Sequence, residues 1–316
     1  MSISYSQPLS KGWSRMKKAL FQPFDISKWF RVGFTTWLAS FTDCNGGSSG
    51  GGSKNSYQDM GDTWNDIFTF PQTAWNWLME HPVIFNLIIV GVVLLFAIIA
   101  VIIWVSSRGK FMFLDNVAHD KSEISQPWHE YKKEGNSLFL WQYFFGLFGF
   151  AVFVLFLIYC FVTGKNLYYA DLPGIAIFWS IAIMVLIFIG YLIVFGYISL
   201  FLKDFVVQIM YKHRVGVIKG WGIFLKLLSA HFFAFIGYGL FRFILGIAVG
   251  IGVLLFALMT CCIGLIVLAL PYIGAVLLLP VSYTFRAFSI EFLAQFGDNF
   301  NVLPAAENEI TNENNF

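Results

Sequence analysis

The sequence predicts an all-α integral membrane protein with six transmembrane helices, built as three parallel repeats of an amphipathic cytoplasmic helix plus a transmembrane hairpin. Composition, long apolar runs and a recurring phrase each support this prediction. Of 316 residues, 58% are hydrophobic and only 12% are charged, and 37 are Phe. Soluble globular domains do not have this composition, so we expect a membrane protein.

Five apolar runs are long enough to cross about 30 Å of hydrocarbon as helices. They are Pro82 to Trp104, Ser137 to Val162, Gly174 to Leu202, Ala230 to Met259 and Cys261 to Phe285. A sixth run, Trp29 to Phe41, is shorter; it spans if it is tilted, or it lies at the interface.

The basic residues favour six spans with both termini in the cytoplasm. With six spans, 17 of the 20 Lys and Arg residues fall on one side of the membrane. That side comprises residues 1–28, 105–136, 203–229 and 286–316, with Arg31 at its edge. Cytoplasmic loops carry such an excess of Lys and Arg, and a non-spanning first run would put the basic N-terminus outside. The polar N-terminus does not resemble a removable signal peptide.

A short phrase indicates internal repetition. Lys-Gly-Trp at residues 11–13 returns at 219–221, and a shift of 93 residues aligns Trp128 with Trp221. Three stripes then share the spacing 4, 3, 4, which is one face of a helix. They are Leu9, Trp13, Met16 and Leu20; Ile124, Trp128, Tyr131 and Gly135; and Val217, Trp221, Phe224 and Leu228. The predicted repeats are residues 1–104, 105–202 and 203–297, followed by a disordered tail at 298–316.

The three stripes predict helices at the cytoplasmic interface. We expect Trp13, Trp128 and Trp221 at the headgroup boundary. Lys18, Lys133 and Lys226 share one position off the stripe, where they would meet anionic lipid. The alternative is that the stripes pack against the transmembrane bundle as a collar.

The first repeat carries a long outer loop, residues 44–81. Its Gly- and Ser-rich part, residues 45–56, is typical of a flexible linker, and the Trp-rich part that follows suits an interfacial helix or a lid. All four cysteines fall at the outer end: Cys44, Cys160, Cys261 and Cys262. They are disulfide candidates in an oxidising compartment, or otherwise small apolar residues.

Arg242 is the only charged residue inside a predicted span, and His231 lies one turn inside the same run. An intramembrane charge is a functional candidate by default, so both are candidates for contact with lipid or substrate. Asp204, Glu291, a helix C-terminus, a hydrated cavity or a lipid phosphate could pair with Arg242, or it could snorkel. The spans lack paired acids, which argues against a proton- or sodium-driven carrier.

Small residues and prolines predict helix packing and kinks. Gly246, Gly250 and Gly252 form a face that would admit a close helix from this chain or from another copy. Pro271 and Pro280 should kink the last span and free the carbonyls of residues 267 and 276.

The sequence predicts no enzyme activity. His129 and Glu130 begin a zinc-protease motif whose second His is missing. Asp115 and His119 share one helical face but have no third ligand nearby. We therefore predict no catalytic residue, cofactor, metal or nucleic-acid partner.

Residues 201–231, FLKDFVVQIMYKHRVGVIKGWGIFLKLLSAH, lead from one hairpin to the next. With their DFV, IM and Trp-led stripe, they resemble loosely related bacterial families of six-helix membrane domains. These families include the membrane domain attached to some glycerophosphodiester phosphodiesterases. The resemblance covers most of the chain from residue 105 and implies a bacterial inner-membrane protein. It does not transfer the phosphodiesterase activity, because no soluble phosphodiesterase domain is seen.

Two functions fit these observations. The first is a non-enzymatic membrane scaffold or assembly module that oligomerises. The alternative is a passage or transport protein for lipids or small solutes, with a cavity near Arg242.

Overall fold

The fold is described by a computed structural model, which covers residues 3–42, 60–169, 174–260 and 263–304. Within these ranges all regular secondary structure is helical, as predicted, and no strand occurs. The chain divides into two compact units. The core unit comprises Met1–Cys44, Ile103–Gln142 and Gly196–Phe316, and the apolar unit comprises Asn45–Ile102 and Tyr143–Phe195.

The described part of the chain forms thirteen α-helices, numbered here in chain order. They are α1 Ser6–Phe21, α2 Ile26–Ser40, α3 Met60–Glu80, α4 Pro82–His119, α5 Ser125–Glu130, α6 Lys132–Tyr169, α7 Gly174–Phe201, α8 Val207–His213, α9 Val217–Ala230, α10 Phe232–Met259, α11 Ile263–Ala269, α12 Pro271–Leu277 and α13 Leu279–Ala294. A π-helical turn, Leu202–Val206, joins α7 to α8, and a 3-10 turn at Asp298–Phe300 follows α13.

Among the described residues, four helices are long and apolar enough to cross a membrane: α4, α6, the continuous helix from α7 through α8, and α10. They coincide with four of the five long apolar runs in the sequence. The chain is therefore compatible with a multi-pass membrane protein. Helix α2 has only 15 residues, and three short helices replace the predicted last span.

The apolar unit is held together mainly by aromatic contacts. The rings of Phe156 and Phe188 stack with centroids 5.6 Å apart, and the Tyr191 hydroxyl donates to the Gly149 carbonyl at 3.2 Å. Helix α3 packs Phe68 against Phe161, with ring centroids 5.7 Å apart. Large side chains such as Leu186, which is 72% exposed, cover the outer surface. An apolar surface of this extent is what lipid would cover.

The core unit has a dense aromatic interior. Phe205 packs against Phe224, Phe235 and Tyr238, with ring centroids between 4.8 and 5.5 Å apart. All four side chains are fully buried. Because buried aromatic side chains remove a large area from water or lipid contact, these rings fix how the surrounding helices pack.

Three helix segments lie at the centre of the core unit, and we call them the core helices: residues 106–119 of α4, α8 with its π turn, and α13. Each pair is joined by a hydrogen bond. The Tyr211 hydroxyl donates to Asp115 at 2.6 Å, and the Gln208 amide donates to Ser289 at 2.7 Å. The Tyr283 hydroxyl lies 3.5 Å from the carbonyl oxygen of Val117.

Two of the core helices, α4 and α8, also end in the same way. Asp120 and Arg214, which follow α4 and α8, have left-handed backbone conformations with φ of 53° and 52°. In both cases the next N–H bonds back to a carbonyl five residues earlier, from Lys121 to Asn116 and from Val215 to Met210. This is the Schellman arrangement of helix C-termini. After α13, Gly297 has a φ of 123°.

Each helix that begins a predicted stripe packs on one core helix. Helix α1 packs on α13, where Arg15 lies 3.7 Å from Glu291. Helix α5 meets α4 where the Arg108 guanidinium lies 4.9 Å from the ring centroid of Trp128, and α9 packs on α8 and the π turn. The first and last helices are joined further by reciprocal hydrogen bonds between the Ser4 backbone and the Gln295 amide, at 3.1 and 3.0 Å.

Helix α2 does not lie where a simple hairpin with Pro82 to Trp104 would place it. It runs antiparallel to the polar end of α4: Lys28 pairs with Asp120 at 2.9 Å, and Lys110 donates to Thr42 at 2.8 Å. Gly109 allows this contact, because a Cβ there would lie 2.7 Å from the Cβ of Leu38. Polar contacts and a missing side chain therefore direct α2 to this part of α4.

Both prolines of the predicted last span interrupt it, as expected. Helix α12 begins at Pro271, and α13 has Pro280 as its second residue. Proline lacks the N–H that continues a helix. The carbonyl of Val267 instead accepts from the Leu270 N–H at 3.3 Å.

The disordered tail was predicted to begin at residue 298, which is too early. Residues 298–304 are ordered: Asp298–Phe300 forms a 3-10 turn, and Val302 and Leu303 are buried. The reason is that these two apolar side chains pack into the core of the unit. Residues 305–316 lie outside the described residues, as does the Gly- and Ser-rich stretch at 45–56.

Candidate functional site

Arg242 lies in α10, and its charge is paired inside the protein. Its Nε atom is 3.6 Å from Oδ2 of Asp204, and the two side chains are 16% and 3% exposed. The guanidinium group also lies over the ring of Phe285, 3.4 Å from its centroid. Among the partners predicted for Arg242 from the sequence, the one that pairs with it in the structure is Asp204.

Asp204 sits in the π-helical turn between α7 and α8, within a continuous 40-residue helix. Its Oδ2 atom also accepts a hydrogen bond from the Tyr238 hydroxyl at 2.9 Å. A buried carboxylate requires such partners, since the protein interior replaces its water shell. Turns of the π type recur at functional sites, and here the turn carries the acidic half of an ion pair.

Arg286 adds a second buried cation to this region. The residue is 5% exposed, and its guanidinium donates to the carbonyl of Lys203 at 2.6 Å. The other terminal nitrogen lies 3.5 Å from the carbonyl of Lys110. The buried charge cluster is defined here as Asp204, Tyr238, Arg242 and Arg286. It joins α10 to the core helices.

His231 is separate from this cluster. It lies at the junction of α9 and α10, where it is exposed, and its ring centroid is 5.1 Å from that of Phe296. The two lipid or substrate candidates from the sequence therefore contact different parts of the core unit.

The predicted interface residues occupy comparable positions on the three stripes. Lys18, Lys133 and Lys226 are all exposed. The third stripe position is buried in all three, with Met16, Tyr131 and Phe224 at 1%, 5% and 0% exposure. The second stripe does not lie on one helix, because α5 ends at Glu130 and Tyr131 separates it from α6, which begins at Lys132.

The three Trp residues are less alike. Trp13 is 49% exposed, with the Lys17 ammonium 5.6 Å from its ring centroid. Trp128 is half-buried beneath the Arg108 guanidinium at 4.9 Å, and Trp221 packs on Trp141 at 5.5 Å.

Close helix approaches occur at glycines other than the predicted ones. No atom of the described residues lies within 4 Å of a Cβ built at Gly246, Gly250 or Gly252. By contrast, a Cβ at Gly12 would lie 2.9 Å from the backbone nitrogen of Phe288, and one at Gly220 would lie 3.0 Å from Met210 Cγ.

The glycine of the repeated phrase Lys-Gly-Trp could have predicted these close helix approaches. Its glycines, Gly12 and Gly220, are the points where α1 and α9 meet their core helices. In the second repeat Pro127 takes the position before the Trp, and it too is buried. Sequence reasoning used the Trp and Lys of the phrase and passed over its small residue.

Of the four cysteines predicted as disulfide candidates, one lies within the described residues. Cys160 is half-buried in α6 and is a free thiol in the described part of the chain. Cys44, Cys261 and Cys262 lie outside the described residues.

Asp115 and His119, the pair noted on one helical face, form part of a cavity. His119 Nδ1 is 3.2 Å from Asp115 Oδ1 and 3.3 Å from the Tyr211 hydroxyl. The cavity measures about 370 Å³ and is also lined by Tyr131. Burial raises the pKa of Tyr131 to about 12, so its hydroxyl keeps its proton at physiological pH. Among the described residues, no group of three His, Cys, Asp or Glu side chains could hold a metal ion.

Comparison with known proteins gives a family and no activity. Residues 6–302 match the model of DUF7544, a family of unknown function. No curated protein and no solved structure matches the chain. The match does not link the chain to the membrane domain of glycerophosphodiester phosphodiesterases. Because it covers nearly the whole sequence, the chain belongs to DUF7544.

Proposed function

We propose that this member of DUF7544 is a polytopic membrane scaffold that associates with copies of itself and has no enzymatic activity. The observation that carries the proposal is that Arg242 pairs with Asp204 and that its guanidinium lies over the ring of Phe285. An intramembrane charge that served a substrate would face a water-filled path. This charge is instead committed to joining α10 to the core helices.

A further feature supports a scaffold. Gly246 and Gly250 in α10 lie one turn apart, with open space where their side chains would be. Small residues at this spacing admit a second helix closely in a membrane, so we place contact between copies there.

The proposal is tested by reconstituting the protein in liposomes and measuring two properties. We expect no passage of small solutes or fluorescent lipids above that of empty liposomes, and a self-associated form in native mass spectrometry. Gly246→Leu/Gly250→Leu should weaken self-association, whereas Gly222→Leu, another open site, should not. Passage that Arg242→Gln abolishes would overturn the scaffold function in favour of transport.

We also propose that the chain crosses a bacterial inner membrane six times, with both termini in the cytoplasm. Two residues that contact each other outside the membrane must be separated by an even number of crossings. The pairs Ser4–Gln295 and Lys28–Asp120 each place their two members on one side. Four helices between Pro82 and Met259 are long and apolar enough to cross a membrane. If all four cross, one further crossing between Lys28 and Pro82, and one between Met259 and Gln295, would bring each pair to one side.

This topology predicts which introduced cysteines react with an impermeant reagent from outside. In a background with the native cysteines replaced by Ser, positions 50 and 168 should be labelled in intact cells. Positions 120, 212 and 310 should be labelled only after the membrane is permeabilised. Labelling of position 120 in intact cells would contradict six crossings with cytoplasmic termini.

We also propose that the chain is a threefold repeat, in which the three stripe-bearing helices and the three core helices are paired in a cycle. Each stripe-bearing helix packs on a core helix: α5 and α9 on the core helices that come before them in the chain, α4 and α8, and α1 on the last core helix, α13. The left-handed residues after α4 and α8, Asp120 and Arg214, lend further support. We place the exposed lysines of the three repeats, Lys18, Lys133 and Lys226, against anionic lipid.

A further inference from the structure

We propose that the cavity at the ends of α4 and α8 binds a phosphomonoester group, held by Lys121, Lys212 and Arg214. The phosphate belongs either to a lipid headgroup or to a soluble phosphate ester, since both present the same dianion. This inference rests on the cavity alone and does not depend on the scaffold function.

One wall of the cavity is formed by stacked aromatic rings. The rings of Tyr131 and Tyr211 stack with centroids 4.8 Å apart, and Tyr131 stacks in turn on the buried Phe111 at 5.9 Å. Arg214 lies over Tyr131 with its guanidinium carbon 4.0 Å from the ring centroid. Aromatic stacking of this kind limits the positions available to the guanidinium, so it is oriented before a ligand arrives.

The acidic side chains of the cavity are already engaged. Asp115 accepts from Tyr211 at 2.6 Å and lies 3.2 Å from His119. Glu130 is bound by Arg214. These contacts neutralise much of the negative charge in the cavity, so the remaining cations determine which ligand it attracts.

Two of these cations have no acidic partner. Lys121 and Lys212 both line the cavity, both are exposed, and neither forms an ion pair within the described residues. They come from different helix ends, and with Arg214 they converge on one space of about 370 Å³. That volume suits a small group, and ammonium and guanidinium groups are the side chains that bind phosphate.

The competing explanation for the position of Lys121 and Lys212 is that they stabilise the ends of the two helices. Cations near the C-terminus of a helix interact favourably with its dipole, and α4 and α8 both end here. In that case Lys121 and Lys212 would stabilise the helices and bind nothing. The two explanations differ in what happens to phosphate binding when the lysines are neutralised.

The test uses the full chain in nanodiscs of phosphatidylcholine, titrated calorimetrically with inorganic phosphate. We expect Lys121→Gln/Lys212→Gln to weaken phosphate binding at least about tenfold, because two charge-assisted contacts are lost. The matched control is Lys133→Gln/Lys226→Gln, two exposed lysines that do not line the cavity, for which we expect less than about a twofold change.

A second arm identifies the source of the phosphate. Nanodiscs with phosphatidic acid are compared by native mass spectrometry with nanodiscs containing phosphatidylglycerol, whose phosphate is a diester. Retention of phosphatidic acid that the cavity variant abolishes assigns the site to a lipid headgroup. Binding of inorganic phosphate without such retention assigns it to a soluble ester.

Two results would overturn the site. One is the absence of phosphate binding in both arms. The other is equal binding by the cavity variant and its control, which together with a lowered melting temperature for the cavity variant would assign the lysines to the helix dipoles.

Discussion

Asp204→Ala is expected to lower the free energy of unfolding by about 3–5 kcal/mol, the usual effect of removing one partner of a buried ion pair. The change leaves Arg242 without its carboxylate and Tyr238 without its acceptor, and both side chains stay in the core unit. Equilibrium unfolding of the purified protein in mixed detergent micelles would measure the loss.

A double variant separates the ion pair from its surroundings. Asp204→Leu/Arg242→Leu removes both charges and should be less destabilised than Asp204→Ala, because no unpaired charge remains. Asp298→Ala, at an exposed acid, should change the stability by no more than about 0.5 kcal/mol. A loss below about 1 kcal/mol for Asp204→Ala would mean that the pair does not hold α10 to the core helices.

Gly109→Ala is expected to destabilise the protein by about 1–3 kcal/mol, through overpacking between α2 and α4. The new Cβ would lie 2.7 Å from the Cβ of Leu38 and 2.8 Å from the backbone nitrogen of Ala39. Backbone cannot move aside as a flexible side chain can, so α2 must shift. The same unfolding measurement applies.

The same helix supplies the control. Gly91→Ala places a methyl group where no atom of the described residues lies within 4 Å. Alanine is the better helix former by about 1 kcal/mol, so this variant should be as stable as the parent or more so. If Gly109→Ala matched Gly91→Ala, α2 would not be packed on α4 as described.

Sequence patterns predicted the elements whose cause is local. Four of the five long apolar runs became single long helices, since each has enough apolar residues to form one by itself. The breaks at Pro271 and Pro280 were likewise predictable, because the missing N–H belongs to the residue.

Features that depend on a partner were harder to predict. The sequence named Asp204 among several partners for Arg242, but hydropathy ended the span before it, whereas the helix continues through a π turn. The position of α2 depends on Gly109 and on polar contacts between segments distant in the chain. Likewise, a row such as Gly246 and Gly250 shows where a helix can approach, but it does not identify the helix that does so.

The bonds between Ser4 and Gln295 have a consequence for how the gene could be rearranged. They hold the segment before α1 beside the C-terminal end of α13, on which α1 also packs, so a linker from the residues after α13 to Ser4 would close the chain. New termini could then be opened between α4 and α5, within residues 120–124. Such a circular permutant would keep every helix contact described for the core unit and change only the order of synthesis.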